Sequence, residues 1–270
     1  MSDQFKPLST APTAVMDAPV TRSRNRAPNS SPQGVETVAL GASQSLSDSL
    51  YRGLRASIMS VDLLPGTPIS ENDIARSKGV SRTPVRAAIL RLADEALVEV
   101  VPKSGTFVGR IPLSALPEAS IARRTLEMMI VQSAARLATS AQIDLLKANI
   151  EEQFEMVARD DISGFHEQDS IFHKSIAEIG QLPKIWKFIE TIKTQIDRFR
   201  RLTLPHAGRM AQVADEHARI FAAIAAGDEE KASQEMHRHL SGLQNYFANG
   251  VAAHPQYFIQ DIDLSKIPNI

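Results

Sequence analysis

Residues 81–111 read SRTPVRAAILRLADEALVEVVPKSGTFVGRI, and few folds accommodate that order of signals. Ser81 is placed to cap a helix whose first turn contains Pro84, where a missing N–H costs nothing. Val85, Ile89 and Leu92 recur at helical spacing and face inward, so Arg82, Arg86 and Arg91 face out. A short apolar strand follows, then a turn at Lys103, Ser104 and Gly105, then a returning strand over 106–108. A helix that opens on arginines and leads into a basic hairpin is the layout of a winged helix-turn-helix, with duplex DNA as its expected partner.

The residues upstream supply the rest of that module. Leu46, Leu50, Leu54 and Ile58 share one face of a helix over 46–59, and Pro65-Gly66 breaks the chain. Ser70 with Asp73 three residues on starts a second helix, which Gly79 ends. The third helix has the chemistry that a major groove requires. The forked guanidinium of Arg82 or Arg86 can donate two hydrogen bonds to guanine O6 and N7. Ser81, Thr83 and the free amides of the helix start suit the flanking phosphates. Lys103 and Ser104 at the hairpin tip can reach the backbone or the next groove, and Gly105 permits the tight turn.

The 270 residues suffice for two cores, and the charge is unevenly shared between them. The net charge is -1, but residues 45–111 hold nine Lys/Arg against seven Asp/Glu, whereas residues 112–270 hold 17 against 21. A basic segment beside an acidic one fits a DNA module joined to something that does not touch DNA. The absence of cysteine excludes disulfides and thiolate ligands, so any metal site must use histidine and carboxylate. No apolar run has a bilayer-spanning length and the start lacks the core of a secretion signal, so the expected location is cytoplasmic, without a membrane partner. Residues 1–44 are rich in Pro, Ser, Thr and Ala without hydrophobic period, which predicts a disordered tail.

Beyond residue 111 the pattern predicts helices only, over 116–139, 141–159, 162–179, 183–202, 210–226 and 229–249, with caps at Ser140, Asp161 and Asp228 and stops at Gly180 and Gly227. The expected fold class is therefore mainly α: a winged helix-turn-helix over 45–111, then an all-α antiparallel bundle over 112–250, with 251–270 as a C-terminal extension. Asp169 and His173 lie one turn apart on a face shared with Phe165, Phe172 and Ile176. His217 shares a face with Val213, Ile220 and Ile224, and His239 shares one with Met236 and Leu243. Four polar groups on the apolar faces of three helices can each be satisfied by a local hydrogen bond. Together they make a divalent-metal site, with Zn, Ni and Mn all open.

The run 46–111 resembles the N-terminal domain of GntR-family transcription regulators, on its S-R-T-P-V-R and G-T-F-V stretches. It departs from the family at Asn72, where an arginine is usual, and at Ala96, where glycine is favoured. Residues 116–247 resemble the ligand-binding FCD domain of the FadR subfamily, on DSIFH, EHARIFAAIAAGD and EMHRHL, with Gln181 replacing the usual Asn. The resemblance implies that Asp169, His173, His217 and His239 hold a metal. It also implies that Arg123, in RRTLE, meets a small organic acid. The expected protein is a homodimeric repressor, not an enzyme, bound to a two-fold symmetric operator and modulated by that acid. A metal-dependent enzyme with a DNA-binding appendage and a regulator without metal are the alternatives.

Overall fold

Three helices and a small sheet build the first module in the computed structural model, which describes residues 35–203 and 208–263. Helix α1 runs Val35–Met59, so the predicted tail ends earlier than residue 44. Val35, Val38 and Ala42 continue the helical spacing back from Leu46. The remainder of that segment, 1–34, lies outside the described residues, as does His206. Both modules belong to one compact unit that begins at Gly41.

Strand β1 (Pro68–Ile69), α2 (Glu71–Lys78) and α3 (Arg82–Asp94) precede the hairpin of β2 (Val98–Val101) and β3 (Gly105–Val108). The sheet order is β1-β3-β2, antiparallel throughout, with Val100 opposite Thr106. Ser70 caps α2 by accepting from the Asp73 amide, and Gly79 closes it at φ 65°. Ser81 stands at the cap position of α3 without a side-chain cap bond, contrary to expectation, which leaves its hydroxyl and the helix amides to solvent. Val85, Ala88, Ile89 and Leu92 pack with Leu50, Ile58, Leu97 and Val108 into one core. Glu95 at the end of α3 accepts from Tyr51 and from Arg55 Nε (2.8 Å), tying α3 to α1.

A short parallel pair joins the modules. Strand β4 (Ile111–Pro112) pairs with β5 (Phe258–Ile259), so the C-terminal extension returns to the linker. Asp261 accepts from the Ser114 amide at 3.0 Å and from its hydroxyl at 2.5 Å. Ile111, Leu113, Leu116, Ile196, Phe199, Phe247 and Phe258 form a separate apolar cluster there.

The bundle comprises α4 (Ala115–Leu137), α5 (Ser140–Arg159), α6 (Ile162–Ile179), α7 (Pro183–Ile192), α8 (Thr194–Thr203), α9 (Arg209–Ala225) and α10 (Glu229–Ser241). A 3₁₀ turn (Gly242–Tyr246) and α11 (Phe247–Ala253) follow. Ile130, Val131, Phe172, Ile176, Trp186, Ile220 and Met236 fill its centre. Thr139, not Ser140, caps α5, in a reciprocal box with Gln142. The helix predicted over 183–202 is two helices. Thr191 and Thr194 turn their hydroxyls back onto the carbonyls of Lys187, Glu190 and Thr191, which bends a helix without Gly or Pro. The helix predicted over 229–249 likewise ends at Ser241, where Gly242 begins the 3₁₀ turn.

Ala96, which follows α3 in place of the family's glycine, adopts φ 54°. A left-handed alanine costs about 1 kcal/mol, and Ala96 is exposed, so little packing is forfeited by a glycine there. Ala96→Gly should therefore raise unfolding stability by about 1 kcal/mol, read as a higher urea midpoint. An unchanged or lower midpoint would show that this turn is not strained.

Candidate functional site: an imidazole cluster and a DNA-reading face

Arg82, Thr83 and Arg86 are exposed at the start of α3, and Lys103, Ser104 and Gly105 are exposed at the hairpin tip. Lys103 and Gly105 both take positive φ, 64° and 126°, which turns the chain within three residues. Arg82 lies 3.5 Å from Glu71, a weak contact, and Arg86 makes no ion pair among the described residues. Arg91 is engaged elsewhere, pairing with Asp48 and lying 3.9 Å over the Tyr51 ring. Two guanidinium groups and one ammonium thus stand ready on one module, with Asn72 exposed nearby in sequence on α2.

Within the bundle, His173, His217 and His239 converge, and none is more than 6% exposed. The Nε2 atoms of His217 and His239 are 3.2 Å apart, and those of His239 and His173 are 3.3 Å apart. Each ring is held from behind through Nδ1. His173 Nδ1 meets Glu127 at 2.6 Å, His239 Nδ1 meets Glu216 at 2.8 Å, and His217 Nδ1 meets Gln153 Oε1 at 2.7 Å. Burial opposes ionisation of both carboxylates. The Arg123 and His173 charges outweigh it at Glu127, and the His239 hydrogen bond outweighs it at Glu216, so both stay below the usual range. Ionised carboxylates only accept, so Nδ1 carries the proton in His173 and His239. Gln153 spends its amide on Asn149 Oδ1 at 2.8 Å, which turns its oxygen to His217 and sets the same tautomer there.

The consequence is electrostatic. Burial pushes His239 down to about 4 and His217 well below its ordinary value, so both rings are neutral at pH 7. Their inward Nε2 atoms then face each other as lone pairs at 3.2 Å, an arrangement that a cation between them would relieve. Tetrahedral nitrogen ligands about 2.0–2.1 Å from zinc stand about 3.3 Å apart. The backing of each ring by an acceptor matches how metal-bound histidines are oriented. The donor set therefore fits a divalent metal.

Asp169, expected as the fourth ligand, is not among the three grouped imidazoles. Its Oδ1 lies 3.6 Å from His217 Nε2, while Arg200 on α8 donates to both carboxylate oxygens, at 2.7 and 2.5 Å. Burial opposes ionisation of Asp169, but Arg200 outweighs it and holds the carboxyl well below its usual range. His166, one turn earlier, is buried with Nε2 unpartnered among the described residues, and burial followed by the Arg200 and Arg201 charges pushes it down to about 3. His237 is exposed, as its position opposite His239 predicts.

A narrow pocket of about 20 Å³, room for a single water, lies beside His239, lined by Ser120, Arg123, Arg200, Arg209 and Leu243 among others. Arg123 is 4% exposed and gives Nε to Glu127. Arg209 lies 4.6 Å over the Tyr246 ring and 3.8 Å from Glu216, yet among the described residues its Nη1 makes no hydrogen bond, and neither does Ser120 Oγ. Buried donors left open at a pocket are costly unless a ligand or water meets them. Sequence reasoning found Arg123 but missed Ser120, Glu127, Gln153, Arg200, Arg209 and Glu216. The Arg123–Glu127 spacing of four was the signal for one of these. Arg200 sits in a basic run, RFRR, that reads as a solvated face.

Residues 46–108 match the family of bacterial regulatory proteins called gntR, and residues 118–242 match the FCD domain. The chain is 31% identical over 209 residues to the HTH-type transcriptional repressor RspR of Escherichia coli, covering 77% of this chain and 91% of that protein. It is likewise 31% identical over 212 residues to an HTH-type transcriptional regulator in an unstable DNA locus of Streptomyces ambofaciens, covering 78% and 89%. The solved structure of Escherichia coli McbR/YncC shares the fold at a TM-score of 0.65 and 21% identity, covering 76% of this chain and 97% of that one. No described helix is long and apolar enough to cross a membrane.

Arg200→Leu should leave the Asp169 charge buried and unpaired, at a cost of about 3–5 kcal/mol, measured by chemical denaturation. A loss under about 1 kcal/mol, the scale of an exposed pair, would mean that the pair does not hold the site together.

Proposed function

The chain belongs to the GntR family of bacterial regulatory proteins, in the form that joins a winged helix-turn-helix to an FCD domain, and on that premise we propose a ligand-responsive repressor. It is a transcriptional regulator rather than an enzyme. In the proposed assembly two copies each lay α3 into one half of a two-fold symmetric operator. Arg82 and Arg86 read base edges, Ser81 and Thr83 meet phosphate, and Lys103, Ser104 and Gly105 form the wing contact.

The bundle is proposed to hold a divalent ion (Zn, Ni or Mn) on His173, His217 and His239, with Asp169 beside them as the fourth ligand. The observation that carries this reading is the pinning of all three Nδ1 atoms, which aims three Nε2 atoms at one point. The ion would supply positive charge and open coordination positions to a carboxylate. The chain's own contribution is the pocket: Arg123, Arg209 and Ser120 present donors to a small organic acid and orient it. A bidentate guanidinium–carboxylate contact is among the strongest available for that purpose. The acid would change operator affinity by about 1–3 kcal/mol, through different contacts in two states of the bundle.

Arg82→Ala and Arg86→Ala should each lose about 1–3 kcal/mol of sequence discrimination with the fold intact, measured by competition between a selected operator and random duplex. Unchanged discrimination in both would remove the DNA-reading assignment. His217→Ala or His239→Ala should strip the metal, seen as loss of bound Zn or Ni by elemental analysis and a lower melting temperature. Equal metal content and stability would leave a regulator without a metal site. Arg123→Ala should weaken stabilisation by organic acids in a thermal-shift screen more than it lowers metal content, and the reverse order would contradict its role.

A further inference from the structure

Helix α8 is buried on more than one side, and the polar groups it buries point to both modules. Arg200 holds Asp169 beside the imidazole cluster. Arg198, two residues earlier and so about 200° around the helix, is 0% exposed and turns to the DNA-reading module. Its Nη2 donates to the Gly109 carbonyl at 2.6 Å and its Nη1 to Gln195 Oε1 at 2.9 Å, while Gln195 Nε2 reaches the Ala96 carbonyl at 3.5 Å. Those two carbonyls bracket the wing. Ala96 is the left-handed residue after α3, and Gly109 follows β3. They are also packed together: a Cβ on Gly109 would lie 2.6 Å from the Ala96 oxygen.

Arg198 is an expensive way to join two modules. Its Nε makes no hydrogen bond, and no carboxylate pairs with it among the described residues. Burial pushes its guanidinium down to about 10. A charge removed from water and met only by neutral acceptors costs several kcal/mol relative to an apolar side chain of similar size. The apolar cluster of Ile196, Phe199, Ile111 and Phe258 already supplies adhesion at this junction. What the guanidinium adds is direction, because its hydrogen bonds hold only for one placement of Gly109 relative to α8.

We propose that α8 is the transmission element between the imidazole site and the DNA-reading face, with Arg198 as its positioning residue. A displacement of Asp169 would move Arg200, and the same helix carries Arg198, which holds one end of the β2–β3 hairpin at Gly109, and Gln195, which makes a longer contact with the other end at Ala96. The inference rests on the proposed metal site, since the metal is the agent that acts on Asp169.

The test uses the full-length protein stripped by chelator, with Zn²⁺ or Ni²⁺ alone as the probe. Metal uptake is measured by elemental analysis, and amide exchange is measured separately over 96–110 and over the bundle. In the wild type, loading should change exchange over 96–110 by about tenfold as well as within the bundle. In Arg198→Gln and Gln195→Ala, uptake and the change within the bundle should persist, while the change over 96–110 falls below about twofold. Two variants guard against one that fails to fold. Arg198→Lys, which keeps the charge and donates from a single nitrogen, should restore part of the response. Metal uptake with no change over 96–110 in the wild type, or equal transmission in the folded variants, overturns the role of α8 alone. Failure of the wild type to take up metal overturns the metal site and this inference together.

Discussion

A carboxylate and a guanidinium buried against each other, Asp169 and Arg200, hold the polar interior of the bundle in place. Neither tolerates this environment alone, because an ion removed from water needs a partner and satisfied hydrogen bonds. The bidentate pairing meets both needs at once. It also fixes α8 against α6, and so determines which way every other side chain of α8 points. A helix of ten residues that carries Gln195, Ile196, Arg198, Phe199 and Arg200 into buried positions has little freedom to rotate.

Around that pair the interior alternates in charge. Glu127 lies between Arg123 and His173, and Glu216 lies between Arg209 and His239. The acids orient the imidazoles and the arginines balance the acids, which leaves the rings aimed at one another. Such a shell fits a positive occupant at its centre, and among the described residues it leaves Ser120 Oγ and Arg209 Nη1 without hydrogen bonds beside the neighbouring pocket.

Much of the DNA-reading module was legible in the sequence because its signals are local. Ser70 with Asp73, Gly79, Pro84 and the apolar spacing of α3 each act within one or two turns. The three histidines were legible for the same reason, as polar groups at helical spacing on apolar faces. The groups that hold them were not. Gln153, Glu216 and Arg200 come from other helices, and nothing in RFRR distinguishes the buried Arg200 from a solvated arginine. The break before α8 was hidden because no Gly or Pro marks it, only threonine hydroxyls bonded back onto the preceding turn. The β4–β5 pair was hidden because two-residue strands 147 positions apart carry no periodic signal.

The most direct measurement is the X-ray absorption spectrum of the full-length protein loaded with one equivalent of Zn or Ni. Three imidazole nitrogens with oxygen in the remaining positions are expected, since only Nε2 of His173, His217 and His239 is aimed inward. A spectrum with no more than one imidazole, or an ion bound loosely through oxygen alone, would contradict the account.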